Sequence, residues 1–179
     1  MESRAHQTLV IQLVTGGTLH VHDSFAFITT EEVNCGIHYP QHKTDLLRQR
    51  LTRVQRAFTL NDLGEMARRL NSEANHDLQL AVMHAASTNH TYFFREIEVL
   101  EQFRTTILPT LARRDEIRIW SAACSTGDEA YTLAIMIAED YGLPALKRTA
   151  ILGTDISAPV VEQAESGLFA EQRLDRVPP

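Results

Sequence analysis

Ile117-Arg118-Ile119-Trp120-Ser121-Ala122-Ala123-Cys124-Ser125-Thr126-Gly127-Asp128-Glu129-Ala130-Tyr131 is the stretch whose reading decides the fold. Ile117 to Cys124 alternates in character and predicts a strand. Ser125 to Glu129 reads as a turn. Ala130 to Tyr141 predicts a helix with Leu133, Ala134, Ile137 and Ala138 inward, stopping at Gly142. Ala150 to Thr154 is a second short strand, ending at Asp155. Ser157 is placed to cap a last helix, with Pro159 in its first turn and Gly167 at its close. Strand, small-residue turn, helix, strand, acidic residue is the opening of a doubly wound α/β sheet.

The turn sits at the C-terminal end of the first strand, where such sheets receive ligands. Ala122, Ala123, Ser125 and Gly127 are small, which lets a ligand come close to the backbone. Asp155 suits ribose hydroxyls. It lies 28 residues beyond Gly127, against about 20 in the dinucleotide fingerprint. The turn holds one glycine, so G-x-G-x-x-G is absent and a nicotinamide oxidoreductase is excluded on that pattern. Asp128 and Glu129 would repel a pyrophosphate. They suit a phosphate-free nucleoside with a positive centre, of which S-adenosylmethionine is an example. They are equally residues that favour a helix N-terminus.

Upstream, a loop from Ser87 to Thr91 leads into Tyr92-Phe93-Phe94-Arg95, then a helix with Ile97, Leu100, Ile107, Leu108 and Leu111 at helical spacing. Residues 24–86 read as short helices. Phe25 to Cys35 ends at Gly36. Lys43 to Ala57 carries an apolar stripe of Leu46, Leu47, Leu51 and Val54. Asn61 is placed to cap a third, with Leu63, Met66, Ala67 and Leu70 inward, and Asp77 a fourth. Residues 1–23 read as an N-terminal extension, a hairpin of Thr8–Val14, a Gly16-Gly17 turn and Leu19–His22. His20 and His22 share a face there, but no third ligand is evident, so no metal site is expected. The domains predicted are therefore 1–23, an all-α domain at 24–86, and the start of an α/β domain at 87–179.

The 179 residues are 44% hydrophobic and 22% charged, which excludes a disordered or fibrous chain. A net charge of −6 predicts no whole-molecule attraction to nucleic acid. No run approaches the roughly 20 apolar residues that span a bilayer, and no signal peptide is expected. Two cysteines, Cys35 and Cys124, make no disulfide framework and suit a reducing, cytoplasmic setting. Charge is uneven: residues 41–71 hold seven basic and three acidic side chains, residues 128–171 two and eight. The basic stretch reads either as a solvated face or as a docking surface for an acidic partner.

Thr88-Asn89-His90-Thr91-Tyr92-Phe93-Phe94-Arg95-Glu96 resembles the T-N-x-T-x-F-F-R-E segment of the chemotaxis receptor methyltransferases, the CheR family. Trp120 to Thr132 resembles that family's W-S-A-A-C-S-T-G-E-E-P-Y-S turn, and Thr154-Asp155-Ile156-Ser157 its T-D-I-S/D strand end. Gly36-Ile37, Lys43 and Arg50-Leu51 echo its N-terminal helical domain. The match runs from about Phe25 to Leu174. The resemblance implies an α+β chain: a small all-α domain, then an incomplete Rossmann-like α/β S-adenosylmethionine-dependent methyltransferase domain. It implies methyl transfer to glutamate side chains of methyl-accepting chemoreceptors, giving methyl esters and S-adenosylhomocysteine. Asn89, Thr91 and Arg95 would lie by the methionine end of the cofactor and the entering glutamate, with Arg95 orienting that carboxylate. Ala122, Ala123 and Gly127 would form the cofactor turn, Asp128 and Glu129 would include the group meeting its amino end, and Asp155 would hold the ribose. Lys43, Arg50, Arg53 and Arg56 would face the receptor's cytoplasmic region.

Two departures stand out. Asp128 replaces the family's usual glutamate, and Ala130 its usual proline. From Asp115 on, only about two βα units of roughly 30 residues fit, fewer than a doubly wound sheet needs. Such a chain is expected to be a fragment, an inactive short relative, or one completed by partners through exposed sheet edges. The alternative to an enzyme is thus a non-catalytic receptor- or partner-binding module.

Overall fold

The computed structural model describes residues 10–11, 43–70 and 75–177. The predicted hairpin turn with His20 and His22, the helix at 25–35 and Cys35 lie outside them. The chain divides into two compact units. Of the described residues, one unit takes in 43–70, 75–88 and 156–158, the other 10–11, 89–155 and 159–177.

The first unit is helical. Helix α1 spans Thr44–Ala57, α2 Leu63–Leu70 and α3 His76–Ala86. Leu47, Leu51 and Val54, spaced one turn apart, are buried. Leu46, expected on that stripe, is exposed, because the i, i+4, i+7 line leaves it to one side. The core joins Leu47, Leu51 and Leu60 to Met66, Leu70, Leu78 and Val82. The cap of α2 is Asp62 rather than Asn61. Its Oδ1 accepts the Glu65 N–H at 2.6 Å, and the Glu65 carboxylate accepts the Asn61 N–H at 2.7 Å. The arrangement is a variant of the capping box, with the glutamate reaching the N–H one residue before the cap. Asp77, expected to cap α3, lies inside its first turn.

The second unit carries the sheet. Strand β1 is Val10–Ile11, β2 Ile117–Ala122 and β3 Thr149–Thr154. All pairing is parallel, in the order β1-β3-β2, with Ile117 opposite Thr149 through Ala122 opposite Thr154. Val10 stands opposite Leu152 and Ile11 opposite Gly153, so part of the segment assigned to a hairpin adds a strand to β3. Parallel connections need a crossover element. Between β2 and β3 it is helix α4 (Asp128–Lys147). Gly142 breaks this helix at φ 73°, ψ 176°, as a predicted stop should, but a further stretch containing Pro144 continues to Lys147.

Ile117 and Ile151 on one sheet face pack with Leu133, Met136, Ile137 and Ala145. On the other face Arg118, Trp120 and Ala122 are exposed, Trp120 by 66%. Before β2, α5 (Ile97–Gln102) runs into a π-helical turn at Phe103–Ile107 and then α6 (Leu108–Leu111). The π turn takes more residues per revolution than an α-helix. Leu100 and Leu108 therefore both reach the core, whereas Ile97 and Ile107, expected to be inward, are exposed. Pro109 follows at once, and it has no N–H for the turn before it. Helix α7 (Ala158–Ser166) closes at Gly167, φ 61°, as expected of a glycine helix stop.

Candidate functional site

Ser125 gathers the three sequence segments singled out above. Its N–H donates to Asp155 Oδ2 at 2.8 Å, and its hydroxyl donates to the Asn89 carbonyl at 3.0 Å. It is buried, at φ 50°. The Cys124 N–H donates to the Thr154 carbonyl at 2.9 Å and carries the strand pairing into the turn. Ala123 (φ 59°) and Gly127 (φ 90°) are also left-handed, so the backbone alternates in hand through the turn. For Ala123 and Ser125 that conformation costs on the order of 1–2 kcal/mol each and persists because these contacts hold it.

Ala122 and Ala123 are exposed at the end of β2 and leave the turn open. Gly127 also has a part in packing. It is buried, and a Cβ there would sit 3.1 Å from the Ala164 Cβ and from the Tyr131 ring. Its missing side chain serves helix packing.

The two acids diverge. Asp128, the first residue of α4, is fully buried. Its Oδ2 accepts the Thr126 hydroxyl at 2.6 Å, and its Oδ1 accepts Arg173 Nη2 at 2.5 Å. Arg173 also donates to Thr126 Oγ1 at 2.8 Å. Both oxygens of the Asp128 carboxylate are thus engaged by side chains of the chain itself. Glu129 is exposed and accepts the Ser121 hydroxyl at 2.6 Å. Asp155 is buried at the strand end, with the Ser125 N–H on it. Burial first, and the nearby Asp155 charge second, push the Cys124 thiol up to about 11.

The loop before α5 is latched to α4, since the Phe94 N–H donates to Thr132 Oγ1 at 3.1 Å. Asn89 and Thr91 are half-buried on it. Arg95 is exposed between two left-handed residues, Phe94 (φ 55°) and Glu96 (φ 54°). Its guanidinium donates to the His90 carbonyl at 2.9 Å, stands 3.6 Å from the Glu96 carboxylate and lies 6.0 Å from the Tyr92 ring centre. These partners belong to its own loop, so Ser125 rather than Arg95 connects loop and turn. In the helical unit, Lys43, Arg53 and Arg56 are exposed. Arg50 is half-buried, and its Nη1 donates to the carbonyls of Ala85 (3.3 Å) and Ser87 (2.9 Å).

Sequence reasoning missed Ser125 and Arg173. Ser125 lay inside the motif as a small residue. Arg173 sits in a short 3₁₀ turn, Glu171–Arg173, 45 positions from Asp128, and no local pattern links them.

An exposed acid, a second acid at the neighbouring strand end and two exposed alanines fit a cationic nucleoside. Among the described residues no cationic side chain pairs with Glu129. Residues 89–179 match the family described as CheR methyltransferase, SAM binding domain. S-adenosylmethionine is the cofactor of the matched domain. The chain is similar to the chemotaxis protein methyltransferase of Salmonella typhimurium, at 38% identity over 80% of this chain and 49% of that one. The Borreliella burgdorferi protein of the same description is 34% identical over 81% of this chain and 54% of its own length. That of Escherichia coli is 35% identical over 80% and 49%. The chain thus spans about half the length of the curated relatives it matches.

Proposed function

The chain belongs to the CheR methyltransferase family, and from that premise we propose that it takes part in methyl transfer from S-adenosylmethionine to glutamate side chains in the cytoplasmic region of chemoreceptors. The observation that supports this most is Ser125, whose N–H and hydroxyl tie Asp155 and Asn89 to one turn. S-adenosylmethionine supplies a methyl group already activated on a sulfonium. Asp155 holds ribose hydroxyls, Ala122 and Ala123 floor the site, and Glu129 is the acid left to face a positive amino end. Asn89 and Thr91 border the methionine end, and Arg95 orients the glutamate carboxylate by a charge-assisted hydrogen bond. A carboxylate is a nucleophile without a general base, so these residues work by alignment and exclusion of water. Lys43, Arg53 and Arg56 form the docking face. Arg50 contributes less, because its guanidinium holds the end of α3.

A second reading is a binding module without catalysis, working in the cytoplasm. It is favoured by the exposed Lys43, Arg53 and Arg56 of the helical unit, which need no cofactor to meet an acidic partner. One experiment separates the two. Calorimetry with S-adenosylhomocysteine is run beside transfer of labelled methyl to a receptor cytoplasmic fragment. Heat and base-labile label support the enzyme. Receptor binding with neither heat nor label supports the module.

A further inference from the structure

Arg173 lies outside every motif that singled out the turn, yet its side chain closes it. The guanidinium reaches a carboxylate that solvent does not, at 2.5 Å, and the hydroxyl beside it, at 2.8 Å. The same segment grips the neighbouring loop. Phe169 stands edge-on to Phe93 (4.9 Å) and Tyr131 (5.3 Å), Arg173 lies 5.4 Å from the Phe169 ring centre, and Arg176 lies 4.1 Å from that of Tyr92. Residues 169–176 thus bind both sequence segments that border the turn.

We propose that Arg173 is a positioning residue: by holding Asp128 and Thr126 it pins residues 126–129 and leaves Glu129 as the carboxylate presented to a cationic ligand. The physical reason is the cost of a buried charge. A carboxylate at the start of α4 is helped by the helix dipole, but a buried one without a partner must rearrange or take up a proton. With Arg173 present, Asp128 is held inward, and the backbone it begins is fixed. Glu129, one residue on, then starts from a fixed backbone and keeps its hydrogen bond from the Ser121 hydroxyl. The inference rests on the reading of this turn as the cofactor's floor.

The test uses the whole 179-residue chain with Arg173→Gln, Arg173→Lys and the double variant Asp128→Asn/Arg173→Gln. S-adenosylhomocysteine affinity is measured by calorimetry, and amide hydrogen exchange is followed at residues 126–129, both below the melting transition. Arg173→Gln is expected to weaken binding by about tenfold and to speed exchange at those amides. Arg173→Lys should recover most of both. The double variant removes the unpaired charge and should melt near the parent, yet keep the weaker binding, because nothing pins the turn. Parental affinity and parental exchange in either folded glutamine variant would overturn the role of Arg173. If the parent chain itself gives no heat, the cofactor reading is what fails. The exchange rates at 126–129 then decide the role of Arg173 alone.

Discussion

Gly127 stands at φ 90° with the Ala164 Cβ and the Tyr131 ring 3.1 Å from where a Cβ would be. Alanine there meets left-handed strain and crowding together. Gly127→Ala is expected to cost about 2–4 kcal/mol, read as a lower denaturant midpoint. Asp155 is the residue to probe by charge. Asp155→Asn keeps an acceptor for the Ser125 N–H but loses the charge, so the fold should survive while S-adenosylhomocysteine binding falls by about tenfold in calorimetry. Cys124 makes a prediction against pH. Its thiol is raised from 9.0 to about 11 in the folded chain. The folded state therefore holds a proton that the unfolded chain releases first. Its stabilising share is full below about 9 and is lost as pH rises toward 11. Melting temperature should fall less steeply over that window in Cys124→Ala than in the parent. With Cys35 replaced by serine, maleimide at neutral pH should label the unfolded chain and spare the folded one.

Among the elements, the π turn separates two registers that the sequence could not tell apart. Continuous α-helix from Leu100 would bring Ile107 round to the same face, seven residues on. The π turn brings Leu108 there, fully buried, and leaves Ile107 exposed. Leu108→Ala should therefore cost about 2–5 kcal/mol and Ile107→Ala well under 1 kcal/mol in chemical denaturation. The cap of α2 is a smaller device. The Asn61 N–H and Arg69 hold the Glu65 carboxyl below its usual range. Its contribution is present above the ordinary carboxylate value and fades as pH falls through the lowered one. Strand β2 was legible because its alternation and its turn are local. Strand β1, which pairs with β3, was not, since two residues near the N-terminus carry no pattern that names Leu152 and Gly153 as their neighbours.

At the scale of the molecule, charge and sheet edges are the features on which association is proposed. The exposed Lys43, Arg53 and Arg56 predict receptor docking that weakens with salt. Arg53→Glu with Arg56→Glu should abolish binding of a receptor fragment in low salt, and undiminished binding would remove the docking face from the proposal. Among the described residues β2 has a strand on one side only, and Trp120 stands exposed on it. Self-association through that edge is proposed on this ground and should appear as a concentration-dependent mass in sedimentation, diminished in Trp120→Lys. The sequence by itself determined the motifs, the strand–turn–helix order and the helix stops. Each of these depends on side chains within a turn or two of one another, where spacing along the chain is spacing in space. Only the tertiary structure decided that Asp128 pairs with Arg173, and that Ser125 joins Asp155 to Asn89. Those pairings span 30 to 45 positions. Residues so far apart meet only once the sheet and its helices have closed the intervening loops, and no local periodicity encodes that closure.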